Sequence, residues 1–393
     1  MAKIGINASF LRKQNTGIGQ VSINFLRKLI ELTTNNLQLT TGEVILYLEE
    51  DIDIALPANF KKHVSLPIYK RDDLIRKIWW EKYLLPKMVS QDKCDVLLSL
   101  YQSSTIRPYK AGKHIMIVHD IIPKLFPNYL NNFRKKVYWK LTEKAIKSAD
   151  KIIAVSKRTE KDLVQHLGID AAKISVAYIS TDEIFEKTVS PEENSRVMRK
   201  YGLSSGYIYH GGGLEVRKNA DGVLKAYKRL LERNKKLHFV HEMPKLVISG
   251  KMMPQLAPLI TDVERRVHEL NLGPHVKLLG FTAQEDMPAL YANASMFLFP
   301  SHYEGFGIPV LEAMKQGKSV ITSKTSSLPE VGGDSVLYCN ADDVEDIAMV
   351  MKNVLTNKHL RETLSERARR RAEQFSWENF TEKVLNIIKE GHK

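Results

Sequence analysis

The stretch "MFLFPSHYEGFGIPVLEAMKQG" occupies residues 296–317, and its parts decide how the chain is to be read. "MFLFPS" (296–301) is apolar on consecutive residues, which suits a strand buried on both faces of a parallel sheet. The chain then turns through Ser301, His302 and Tyr303, and Gly305 and Gly307 allow backbone geometry and close ligand approach denied to other residues. Pro309 suits the first position of a helix through "VLEAMKQG", and Gly317 suits its end. A strand, a glycine turn and a helix in that order form one unit of a doubly wound α/β sheet. Glu304 precedes the turn and Glu312 lies one turn into the helix. The helix start offers unpaired amides and a positive dipole end to an anion or to hydroxyl oxygens. Both carboxylates can accept from one ligand's hydroxyl groups. The plainer alternative makes Glu312 a complement to the dipole and Glu304 a solvated loop residue.

The same alternation runs through the whole chain. Apolar strands are predicted at 3–8, 43–48, 95–100, 114–120, 151–156 and 173–179, with helices between them, for example 19–33 and 132–149. A second series falls at 206–212, 245–250, 275–281, 296–301, 319–323 and 335–339. The polar joint near 182–205, with Pro191, separates two doubly wound α/β domains, as 393 residues suggest. Ligands of such sheets bind beyond the carboxyl ends of the strands.

Three further clusters follow strand ends. "YIYHGGGLEVRKN" (207–219) opens a glycine turn and brings Arg217 and Lys218 to a helix start. Two cations there can hold a diphosphate without a metal, supplying the countercharge themselves; two solvated cations are the alternative. The glycine–lysine spacing of a Walker loop is absent. "IVHDIIP" (117–123) places His119 and Asp120 at a strand end, where a satisfied core histidine is the commoner case. In "NTGIGQVSINFL" (15–26), Gly17 and Gly19 either let backbone amides approach a phosphate or make a simple turn.

Composition narrows the classes. Lys plus Arg total 59 against 45 acidic residues, a formal charge of +14, which calls for an anionic partner. A nucleic-acid-binding protein fits that charge, yet no recognition module accompanies it. No signal peptide or spanning segment is legible, and Cys94 and Cys339 make neither a disulfide framework nor a zinc set. Asp51-Ile52-Asp53 imitates a metal-binding pair but reads as a solvated loop, and His238 with His241 lack a third ligand. The segment 69–88 mixes Arg71, Arg76 and Lys77 with Trp79, Trp80 and Tyr83. It is either a helix lying on an anionic membrane or one whose aromatics face its own core.

Taken together, "EGFGIPVLE", "GGGLEVRKN", "TGIGQ", "HDIIPKLFP", "SADKIIAVSKRTEKDL" and "SLPEVGG" resemble the retaining glycosyltransferases of family 4, over nearly the whole chain. The resemblance implies the GT-B fold, two Rossmann-like domains facing across a cleft. These would be an acceptor domain at 1–185, rejoined by a terminal helix at 376–393, and a donor domain at 186–375. It implies that Glu312 binds the ribose of a nucleotide-sugar, and that Glu304 with the backbone of Gly305, Phe306, Gly307 and Ile308 binds the sugar. Arg217 and Lys218 would clamp the diphosphate, aided by Gly17 and Gly19, and His119 would touch the donor sugar. No metal or other cofactor is expected. Two departures stand out. Gly212 takes a place where many members carry a basic residue, and the interdomain segment reads "ISTD" (179–182).

The expected reaction is front-side transfer of a hexose, with the leaving phosphate oxygen taking the acceptor's proton. No carboxylate is placed as a covalent nucleophile. The resemblance is closest to mannosyltransferases of polysaccharide assembly, so GDP-mannose is the first-choice donor. The acceptor would be a glycan or a polyprenyl- or other lipid-linked sugar, handled in the cytoplasm with the option of peripheral contact with anionic membrane. A UDP- or dTDP-sugar donor with a soluble acceptor, or a nucleotide-sugar epimerase, is the alternative.

Overall fold

A computed structural model describes residues 2–35, 42–66, 72–106 and 112–392. The chain divides into two compact units, Met1–Ser180 with Ser376–Lys393, and Thr181–Phe375. The first holds a parallel sheet of β1 (Ile4–Asn7), β2 (Val44–Leu48), β3 (Phe60–Val64), β4 (Val96–Ser99), β5 (Lys113–Val118), β6 (Lys151–Ala154) and β7 (Ile174–Val176), in the order β3-β2-β1-β4-β5-β6-β7. The second holds β8 (Tyr207–His210), β9 (Leu246–Ser249), β10 (Val276–Gly280), β11 (Ala294–Phe299), β12 (Val320–Ser323) and β13 (Leu337–Cys339), in the order β10-β9-β8-β11-β12-β13, also parallel. Both orders reverse at one place, between β1 and β4 and between β8 and β11. That reversal leaves room beyond the strands' carboxyl ends for a ligand.

The central strands follow from their sequence. β2, β4, β8, β9 and β12 are buried at every residue, as strands covered by helices on both faces must be. Twelve of the thirteen strands among the described residues coincide with the apolar runs. β3, "FKKHV", is the exception: it pairs only with β2, at the sheet edge, and only Phe60 is buried. Lysines on an edge strand discourage pairing with another chain, and they erase the apolar signal.

The terminal helix Trp377–His392 belongs to the first unit and packs on the helix Gly17–Asn35, with the Phe25 and Phe380 rings edge-on at 5.8 Å. The units divide at 180/181 rather than at the expected 185/186. Asp182 caps the turn Glu183–Phe185 from within the second unit, and Gln316 Nε2 donates to the Phe185 carbonyl at 2.7 Å.

The segment 69–88 divides between its two alternatives. Arg71 lies outside the described residues. The helix Asp73–Trp79 continues through a wider turn, Trp80–Leu84, into Leu85–Gln91. Arg76 and Lys77 face inward. Arg76 pairs with Glu49 and, at 2.7 Å, with Glu50. The Lys77 ammonium sits 4.8–5.3 Å from the ring centres of Tyr138, Tyr101 and Phe10. Trp80 is fully buried among Tyr47, Leu85 and Leu97, whereas Trp79 and Tyr83 are exposed. No single face presents the cations together with all three aromatics, because the stems of Arg76 and Lys77 follow Trp80 into the interior. Asp51 stays a loop residue bound by Lys62 at 3.0 Å, and His238 is the exposed left-handed end of the helix Ala220–Leu237.

Candidate active site

The loop after β8 is built around one ammonium. Gly212 and Gly213 adopt φ of +95° and +111°, open to glycine alone in practice. A Cβ on Gly212 would stand 2.6 Å from the Pro309 ring. No basic side chain fits at this departure from the family pattern, because the helix start already fills the space. The Gly212 carbonyl instead accepts from Lys218 Nζ, which also lies 3.2 Å from the Glu215 carboxylate. Burial opposes ionisation of Glu215, but Lys218 and Arg217 hold its carboxyl below the usual range. Asn219, at φ +64°, then caps the helix Ala220–Leu237, accepting from Gly222 N at 3.2 Å and donating to the Ala341 carbonyl at 2.7 Å. Lys218 is thereby fixed, not a loose surface cation.

Because β8 and β11 are neighbours, the loops after them meet. His302 N donates to the Arg217 carbonyl at 2.7 Å, and Arg217 Nη1 lies 2.6 Å from Glu304 Oε1 and 2.8 Å from the Tyr303 carbonyl. Arg217 and Glu304, read from the sequence as parts of separate clusters, form one nearly buried pair. Ser301 Oγ is 2.9 Å from Glu304 Oε1. Serines after β12 hold the turn from the other side: Glu304 N donates to Ser326 Oγ, and Ser327 Oγ lies 2.7 Å from the Phe306 carbonyl. The buried Phe306 ring packs edge-on against Phe375 at 5.8 Å.

The helix Ile308–Lys315 follows, with Gly307 at φ +114° as its cap. Its start offers fewer amides than expected. Pro309 has no N–H, and the amides of Val310 and Leu311 already bond to the Gly307 carbonyl, which leaves Ile308. Gly307→Ala should cost about 1–2 kcal/mol, since a Cβ there both takes the left-handed conformation and meets Leu328 at 3.0 Å. Thermal unfolding checks this; an unchanged midpoint would contradict it.

Glu312 sits one turn in, and Tyr291 donates to its Oε2 at 2.8 Å. Burial pushes the Glu312 carboxyl up to about 8, against the opposing effects of the Tyr291 bond and of Lys218, while Asp182 adds to the rise. A half-buried acid whose proton leaves near neutrality is a functional-site signature. It bears on stability with a definite sign. The unfolded acid loses its proton near 4.5 while the folded one keeps it to about 8, so stability falls as pH rises between those values.

In the first unit, His119 follows β5 and is buried, and burial holds its imidazole below the ordinary value. Its Nε2 lies 2.9 Å from the Leu100 carbonyl, so that nitrogen carries the proton and Nδ1 the lone pair. Gly17 opens the helix Gly17–Asn35, and nothing lies within 4 Å of where its Cβ would be. Gly19 is different. Its Cβ would stand 2.1 Å from the Lys13 carbonyl, and its amide donates to Thr16 Oγ1 at 3.2 Å. The local backbone requires that glycine, which suits the simple turn of the two sequence alternatives.

Sequence reasoning missed Glu215, Tyr291, Ser301 and Ser326. Glu215 lay inside the quoted loop and carried a charge between three glycines and two cations. Tyr291, on the short helix Met287–Ala292, gave no signal at all.

Two family models match the chain: Glycosyltransferase Family 4 over residues 42–183 and Glycosyl transferases group 1 over residues 198–371. The chain belongs to the family 4 glycosyltransferases. It is 29% identical to the O-antigen chain mannosyltransferase B of Escherichia coli over 95% of this chain and 96% of that one. It is 25% identical to the O-antigen chain mannosyltransferase RfbU of Salmonella typhimurium over 89% and 90%. The serotype-specific mannosyltransferase WbdA of Escherichia coli is 30% identical over 68% of this chain, which spans about a third (32%) of that longer protein. Among solved structures, WaaG, a glycosyltransferase involved in lipopolysaccharide biosynthesis, superposes with a TM-score of 0.72 at 16% identity, covering 98% of this chain and 99% of that one. Sucrose-phosphate synthase from Thermosynechococcus elongatus superposes with a TM-score of 0.73 at 16% identity, covering 99% of each. The fold is GT-B. Among the described residues of this glycosyltransferase, no helix is long and apolar enough to cross a membrane.

Proposed function

We propose that this glycosyltransferase moves mannose from GDP-mannose to a growing cell-surface glycan, retaining the anomeric configuration and using no metal ion. The observation that carries the reading is the meeting of Arg217, Lys218 and Glu304 beside the helix that bears Glu312. The names of two relatives matched along most of their length, both O-antigen chain mannosyltransferases, support the sugar and the pathway class.

In this reading the ribose hydroxyls donate to the Glu312 carboxylate, and the sugar hydroxyls meet Glu304 and the backbone of Gly305–Ile308. As the bond from the anomeric carbon to the phosphate oxygen breaks, charge grows on the diphosphate. Lys218, Arg217 and the helix dipole stabilise that charge most where it is greatest, in the transition state. Two cations supply the countercharge that a divalent ion supplies elsewhere. The acceptor hydroxyl attacks the same face, its oxygen bonds to the anomeric carbon, and its proton passes to the departing phosphate oxygen. The acceptor is a glycan carried on a polyprenyl or other lipid, and the protein works in the cytoplasm at the membrane's inner face.

A panel of nucleotide-sugars tests the donor, read as transfer product and as thermal stabilisation. GDP-mannose should give the largest effect on both; a larger response to a UDP- or dTDP-sugar would replace it. Nuclear magnetic resonance of the first-formed product decides the configuration, and undiminished activity in a chelator decides the metal.

Glu312 predicts a pH dependence. If ribose hydroxyls bind its carboxylate, a nucleoside diphosphate binds tighter as the proton leaves near pH 8, gaining roughly tenfold between pH 7 and 9. Glu312→Gln should flatten that profile. Tyr291→Phe removes a bond that favours the carboxylate and should shift the inflection to higher pH. Titration calorimetry across that range measures both, and an identical profile in Glu312→Gln would remove Glu312 from the site.

A further inference from the structure

The segment after β12 breaks two local rules at neighbouring residues. Ser326 takes a φ of +50°, in the left-handed region that asparagine visits readily and serine seldom. Ser327 stands at the cap position of the short helix Leu328–Gly332, where a serine hydroxyl ordinarily accepts from the helix's own amides. Among the described residues it caps none of them. The first serine carries backbone strain and the second gives up a cap, so neither choice serves the segment itself.

Both hydroxyls serve the turn after β11 instead. Glu304 N donates to Ser326 Oγ at 2.9 Å, and Ser327 Oγ donates to the carbonyls of Glu304 at 2.9 Å and Phe306 at 2.7 Å. Upstream, Thr325 Oγ1 donates to the Ser301 carbonyl at 3.1 Å, and Ser323 Oγ donates to the same oxygen. The hydroxyls of residues 323–327 thus grip the turn along its length, from Ser301 to Phe306. Arg217 and Ser301 hold the Glu304 carboxylate at its tip, and Ser326 holds the same residue at its amide. A side chain fixed at both ends has little freedom to swing. Backbone strain of this kind persists only where the surroundings over-determine it, and it collects at active sites. Glycine would take the same φ without strain, but it has no hydroxyl to offer.

We infer that Ser326 is a positioning residue for transfer: its left-handed backbone brings its hydroxyl to the Glu304 amide, and stability is given up to hold Glu304 against the sugar. The inference rests on the role proposed for Glu304. Two variants separate strain from bond. Ser326→Ala keeps the left-handed backbone and loses the oxygen, so the thermal midpoint should fall by about 2–4 °C. Ser326→Gly also loses the oxygen but relieves the strain, so its midpoint should stay at or above that of the unmutated protein. Both should lower kcat about tenfold, read as release of GDP from GDP-mannose by transfer to water, with KM changed less than about threefold. Both should also speed hydrogen exchange at residues 302–307 by about tenfold or more, measured by mass spectrometry of the full chain, with β11 and β12 unaffected. The exchange measurement needs no substrate, so it decides even if GDP-mannose is not the donor. A kcat within about twofold in Ser326→Gly, unchanged exchange in the turn, or a midpoint that falls as far with glycine as with alanine would overturn the inference. Glu304→Gln is the control on the reading beneath it. If that variant keeps full turnover, the role proposed for Glu304 fails. If it loses turnover while both Ser326 variants keep theirs, only this inference does.

Discussion

Lys218→Ala should lower turnover about 10²-fold or more. The ammonium is held by the Gly212 carbonyl and Glu215, in a loop whose glycines leave room for it and for little else. Such a cation is costly to place, and its place is what counts: on the proposed reading it would face the diphosphate before charge develops, so little reorganisation would accompany the reaction. Nucleotide affinity should fall less than turnover, since the charge is greatest in the transition state. Lys218→Arg should not rescue the loss. A Cβ on Gly213 would already stand 3.0 Å from the ammonium, and a guanidinium is wider than an ammonium. Single-turnover kinetics with the natural donor decides the matter. Turnover within threefold of the unmutated enzyme would remove Lys218 from the site.

Glu304→Ala should cost about 3 kcal/mol of the second unit's stability as well as its activity. The carboxylate neutralises Arg217 at 2.6 Å, each side chain being only 11% exposed. Removing one partner leaves a charge in a poorly solvated place, and that cost exceeds what the pair itself contributes. The double variant Glu304→Ala/Arg217→Met should recover most of the stability and none of the turnover, which separates the two roles. Denaturant unfolding of the single and double variants measures this. A single-variant loss below about 1 kcal/mol would mean that water screens the pair and that the burial argument is wrong.

These two residues also show where sequence reading stops. Lys218 was legible as a candidate diphosphate-binding cation because it follows an apolar strand and three glycines, a local pattern. Its partner Glu215 lies only three residues away and was still passed over. The Arg217–Glu304 pair joins residues 87 positions apart, with the Tyr303 carbonyl bound to the same guanidinium, and each residue alone had a plausible separate task. Tyr291 and Glu312 are nearer in sequence but on different helices, and nothing in "MPALYA" marks its tyrosine as a donor to a half-buried acid. Segment 69–88 shows a different limit. Its composition was read correctly as basic and aromatic, but composition does not say which side chains turn inward. Gly19 is a similar case, since the sequence cannot reveal that the Lys13 carbonyl passes beneath it.

Strand and helix positions, the two-unit α/β class and the glycine turns that end strands are all determined by the order of residues along the chain. Burial on both faces of a parallel sheet demands continuous apolar runs, and left-handed turns demand glycine, so both leave local marks. The strand orders, the meeting of the loops after β8 and β11, and the ionisation of Glu312 were decided only in three dimensions. Each depends on which distant groups exclude water from one another, and that exclusion exists only once the sheets have formed.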